Sequence, residues 1–99
     1  VFTSVGQTKS DKIADVFAKE FQLEFPSERL RSDPWGDADL DKERNFHILK
    51  YTRMPAILTE NFFMDTEREC KDYLLSREGR NRIIDFHVRA IRKVIDELY

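Results

Sequence analysis

Apolar residues along this chain follow two rhythms, one near 3.6 positions and one near 2. Over residues 10–25 the rhythm is helical. Ile13, Val16, Phe17 and Phe21 share a face, with Ala14 and Ala18 beside them. Thr8 or Ser10 can cap this helix, Asp11 suits its positive end, and Pro26 closes it. A second helical stretch covers residues 66–75, with Cys70, Tyr73 and Leu74 on one face and Thr66 with Glu69 as a capping box. Ser76 can end it and cap the next. A third covers residues 77–98, where Ile84, His87, Val88, Ile91, Val94, Ile95 and Leu98 form a core stripe. Arg80, Arg82, Arg89, Arg92 and Lys93 lie mostly off that stripe and read as a solvated face.

The shorter rhythm predicts strands. Residues 1–5 alternate β-branched, aromatic and small polar side chains. Residues 46–51 place Phe46 and Ile48 on one side, Leu49 and Tyr51 on the other. Residues 55–59 hold an apolar run (Pro55, Ala56, Ile57, Leu58) that reads as a strand buried on both faces. Only about three residues join these last two. Either they pair antiparallel, or they form one bent strand with a bulge near Pro55, which lacks a ladder donor. The predicted order is β-α-loop-β-β-α-α. Residues 26–44 form the longest irregular stretch, with six acids (Glu28, Asp33, Asp37, Asp39, Asp41, Glu43) around Trp35. A loop of that length is often functional. Trp35 either lids a small apolar cluster or forms a stacking wall for a ligand such as a sugar.

Composition narrows the field. Ninety-nine residues make one domain at most, and 40% hydrophobic content suits a globular fold. Seventeen basic residues against 19 acidic leave no electrostatic footprint for nucleic acid. No apolar stretch approaches the ~20 residues of a membrane span. Cys70 is the only cysteine and reads as a small core hydrophobe.

Candidate chemistry is concentrated in residues 54–65, MPAILTENFFMD. Glu60 ends the predicted strand, where open α/β sheets place their active sites. It is either a general base walled by Phe62 and Phe63 or a surface acid. His47 and His87 stand apart in the sequence. Without HExxH, CxxC or a close His pair, they read as satisfied core residues and not as metal ligands. The acidic loop lacks calcium-loop spacing. There is no Gly-rich phosphate loop.

Three segments carry a resemblance. Asn45-Phe46-His47-Ile48-Leu49-Lys50, Met54-Pro55-Ala56-Ile57-Leu58-Thr59-Glu60 and Phe63-Met64-Asp65 are similar to the C-terminal half of the zinc-dependent N-acetylmuramoyl-L-alanine amidases. The closing helices, with Leu74-Leu75-Ser76, Ile83-Ile84 and Ala90-Ile91, resemble that family too. The likeness covers residues 41–99, and residues 1–25 fit it. It implies an α/β fold, the C-terminal part of a mixed, mostly parallel sheet flanked by helices. It also implies hydrolysis of the amide between N-acetylmuramic acid and L-alanine in peptidoglycan by a zinc-bound water, with Glu60 as general base. The family follows this glutamate with a small residue and Gly, where Asn61 and Phe62 stand here. Its zinc ligands precede the point where this chain begins.

Residues 1–99 are therefore expected to be a partial catalytic domain that binds no zinc and is inactive alone. The implied setting is a bacterial cell envelope (periplasmic or secreted) or a phage lysin. Self-association is expected through an exposed sheet edge. The alternative is a non-catalytic peptidoglycan-binding or interaction module that uses Trp35.

Overall fold

The computed structural model describes residues 1–3, 9–30, 42–43 and 47–99. Two long helices form its frame: α1, Lys9–Glu24, and α4, Arg77–Leu98. They pack against each other, and each buries small residues. Ala14 and Ala18 of α1 and Ala90 of α4 are completely buried. α1 ends before Pro26, with the Phe25 N–H donating to Phe21 O at 2.8 Å.

Acids of α1 meet bases of α4 along the seam. Glu20, only 3% exposed, pairs with Lys93 and, at 3.2 Å, with Arg89. Arg82 donates to Glu24 O at 2.5 Å and lies over the Phe25 ring at 4.5 Å. The basic face is solvated as expected, with Arg80, Arg89, Arg92 and Lys93 exposed, and it also reaches neighbouring elements. Arg82, Arg89 and Lys93 dock α4 onto α1, and Arg80 donates to the terminal carbonyls of Leu74 and Leu75 at 3.2 and 3.0 Å.

Between the long helices lies a short one, α3, Glu67–Glu69, which widens into π-helical Cys70–Leu74. The Leu75 N–H reaching Cys70 O at 2.8 Å closes the wide turn. Ser76 caps α4, its Oγ accepting from Gly79 N–H at 2.9 Å. The expected capping box does not form: Thr66 makes no side-chain cap, and Glu69 accepts from the Phe63 N–H at 3.1 Å instead. Aromatic residues fill the core. Phe25, 1% exposed, has the rings of Phe21, Phe62, Tyr73 and Phe86 about it at 5.1–6.1 Å.

The α/β expectation is overturned. The described residues are 65% helical. Their extended structure is one two-residue parallel pair, β1 (Phe2–Thr3) with β2 (Lys42–Glu43), and a lone antiparallel bridge between Phe2 and Leu58. The strand expected over 46–51 is instead a helical turn, α2, His47–Tyr51. Its apolar pattern was never strictly alternating, because Ile48 and Leu49 are adjacent. A helical turn buries Leu49 and sets the His47 and Tyr51 rings 4.8 Å apart, an i,i+4 pairing. The strand expected over 55–59 pairs at Leu58 alone. Pro55 has no N–H to give, the Ala56 N–H goes to Ser10 Oγ at 3.0 Å, and residues 56–59 are half-buried rather than covered on both faces. The strand expected over 1–5 is seen at Phe2–Thr3, and residues 4–5 lie outside the described residues.

An acidic, aromatic-walled pocket beside Glu60

The segment that carries Glu60 is held from both sides. Upstream, Leu58 exchanges two backbone hydrogen bonds with Phe2, at 2.7 and 3.0 Å. At the next position the Thr59 hydroxyl meets His87 Nε2 at 3.1 Å, while His87 Nδ1 faces Ile83 O at 2.7 Å. A carbonyl can only accept, so Nδ1 carries the proton and Nε2 accepts from Thr59. Asn61 Nδ2 donates to the same hydroxyl at 3.4 Å. His87 is therefore a satisfied structural residue, packed beside Phe17 and Phe86.

Downstream, Phe62 turns the chain with φ 64°, a left-handed conformation. Its ring stacks on Tyr73 at 4.1 Å and 18° and meets Phe25 edge-on at 5.1 Å. Burying the ring holds the backbone in this strained state.

These residues border a cavity of about 850 Å³ between α1, residues 27–30 and residues 59–63. Phe2, Phe21, Phe62 and Phe86 supply apolar wall, and Glu28, Glu60 and Glu69 line it too. The three acids are not equivalent. Glu28 accepts a two-pronged contact from Arg68 at 2.7 and 3.0 Å and the Tyr73 hydroxyl at 2.8 Å. The hydrogen bond from Arg68 holds its carboxyl below the usual range, against the opposing pull of burial. Burial first, then the bond to Glu28, pushes the Tyr73 phenol up. Glu69 is engaged with the Phe63 N–H. Glu60 is exposed, and its carboxylate has no hydrogen-bond or ion-pair partner among the described residues.

The other candidates fall elsewhere. Trp35, expected to contact substrate, lies outside the described residues. His47 is exposed on α2, away from the pocket lining. Cys70 is half-buried. Among the described residues, no group of three or more His, Cys, Asp or Glu converges as a metal site would require. The Glu28–Arg68–Tyr73 cluster was not foreseen. Its members are 40 and 45 positions apart, and no local spacing links them.

The site defines a class: a concave pocket with aromatic walls and, among the described residues, one carboxylate without a protein partner, the general form of a ligand-binding site. The family model for N-acetylmuramoyl-L-alanine amidase matches residues 1–93, so the chain belongs to that family of amide-hydrolysing cell-wall enzymes. No curated protein and no solved structure matches it. The relationship points to peptidoglycan as the substrate and to the cell envelope or exterior as the setting. Among the described residues no helix is long and apolar enough to cross a membrane.

Proposed function

We propose that Glu60 is the proton-transfer residue of a peptidoglycan amidase acting on the bond between N-acetylmuramic acid and L-alanine. The observation that carries this reading is the family match, which spans Glu60. The pocket supports it. The free carboxylate stands at a cavity large enough for part of a glycopeptide, and the tethers at Leu58, Thr59 and Phe62 fix the backbone around it. Glu60 takes a proton from the attacking water as the water adds to the amide carbonyl, and can return it to the leaving amine.

The described residues do not fit the zinc ion that the resemblance implies. Glu28 is saturated by Arg68 and Tyr73, and among the described residues no three His, Cys, Asp or Glu side chains converge. We therefore propose that the 99 residues are the C-terminal portion of a catalytic domain. Alone, the chain holds no stoichiometric zinc and does not clear cell walls. Elemental analysis and a turbidity assay test this: about one zinc per chain with clearing activity would refute it. In a polypeptide extended upstream to full activity, Glu60→Gln is expected to lower kcat by ~10²–10⁴ with zinc content unchanged. An unaltered kcat removes Glu60 from the chemistry.

A further inference from the structure

The apolar stripe of α4 is wider than the body of the protein covers. Phe86, Ala90 and Val94 are buried against α1 and the π-helical segment. Ile84, Val88, Ile91 and Ile95 are not: they are 57%, 42%, 50% and 58% exposed. Their spacing of four, three and four residues is that of a two-helix seam, in which Ile84 and Ile91 hold one core position and Val88 and Ile95 the other. The seam covers about 16 Å of helix.

The charges beside the seam say what covers it. Asp85 and Arg92 each follow a core position by one residue, so they share one flank. Among the described residues neither has a hydrogen-bond or ion-pair partner, although Arg82, Arg89 and Lys93 are all spent on α1. In an antiparallel pair of identical helices, Ile84 faces Ile95 of the second copy and Val88 faces Ile91. Asp85 then comes opposite Arg92 of the second copy, and the two-fold axis repeats the pairing. A parallel pair would bring Asp85 and Arg92 to the flank of Arg80 and His87. There Arg80 is committed to Leu74 and Leu75, and His87 to Ile83 and Thr59.

We propose that α4 joins antiparallel with α4 of a second copy of this chain, through the Ile84–Ile95 seam and two Asp85–Arg92 pairs. The seam is smaller than the standard ~800 Å² per partner, so the dimer forms at high chain concentration. Sedimentation equilibrium of the 99-residue chain tests this. The mass should rise from 11.8 kDa towards twice that value as concentration reaches ~500 µM. Ile91→Glu should hold the chain monomeric across the range, with its helical circular dichroism unchanged. Asp85→Arg and Arg92→Asp should each weaken association by about fivefold, and combining them should restore it. A monomer at every concentration overturns the proposal. So does a dimer indifferent to Ile91→Glu, which would place the contact elsewhere, as at a strand edge. A charge-swapped pair no tighter than the single variants overturns the antiparallel register.

Discussion

At φ 64° the Phe62 Cβ crowds the neighbouring carbonyl, at a cost of roughly 1–2 kcal/mol. The ring repays this by stacking on Tyr73 and closing against Phe25. The two effects can be separated. Phe62→Ala loses the ring and keeps the strain, whereas Phe62→Gly loses the ring and releases it. Because the ring is only half-buried, Phe62→Ala is expected to cost ~2–3 kcal/mol, below the range of fully buried aromatics. Phe62→Gly should be the milder by about 1 kcal/mol, the reverse of the usual order. Urea melts of the two variants check this; Gly as costly as Ala would mean the backbone is not strained. Nothing in the sequence announces this turn, because Phe is not a residue type that marks a left-handed conformation.

At the scale of elements, the long helices were legible and the strands were not. The apolar rhythm of α1 and α4 persists over 16 and 22 residues, long enough to exclude the other period. Residues 46–51 gave only six positions with adjacent apolar residues, a pattern that a helical turn satisfies equally. The apolar run over 55–59 records half-burial rather than a sheet, since Leu58 alone finds a backbone partner in Phe2. The π-helical widening left no mark in the apolar pattern, yet it meets α4 at closest range. A Cβ on Gly79 would strike Asp72 O and Tyr73 Cα and lie 2.8 Å from Tyr73 O. Those are backbone atoms and cannot swing aside. Gly79→Ala should therefore destabilise by ~2–3 kcal/mol by forcing the two elements apart. On an exposed helix position the same change would stabilise, so a denaturation midpoint at or above wild type would refute the close approach.

The molecule as a whole is held by carboxylates that depend on their cationic partners. The candidate site was half legible: Glu60 could be read from its place after the apolar run, but the cluster bracing the pocket could not, because folding alone brings Glu28 to Arg68 and Tyr73. Hydrogen bonds from Lys93 to Glu20 and from Arg68 to Glu28 hold both carboxyls below the usual range. A lowered folded value means stability that is present above the unfolded value of ~4.3 and lost as pH falls through the folded one. Tyr73, raised by burial, and Lys93, raised by its bond to Glu20, act on the other side. Their contribution is present below ~10 and is lost as pH climbs through their folded values. Urea midpoints should be flat from about pH 6 to 9 and fall below ~4 and above ~10. Glu28→Gln should flatten part of the acid limb. An acid limb that Glu28→Gln leaves unchanged would mean that Glu28 carries none of it.

The short strand β1 has a consequence for how the chain is assembled. The hydrogen bonds within each helix join near neighbours and cost little loop entropy, whereas docking α4 on α1 joins residues as far apart as Glu20 and Arg89. Phe2 likewise joins position 2 to positions 42 and 58, one partner on each side. Closing such loops costs more, in proportion to the logarithm of their length. Among the described residues, β1 thus ties the start of the sequence to positions 42, 43 and 58, and the segment bearing Glu60 is anchored two positions upstream by that tie.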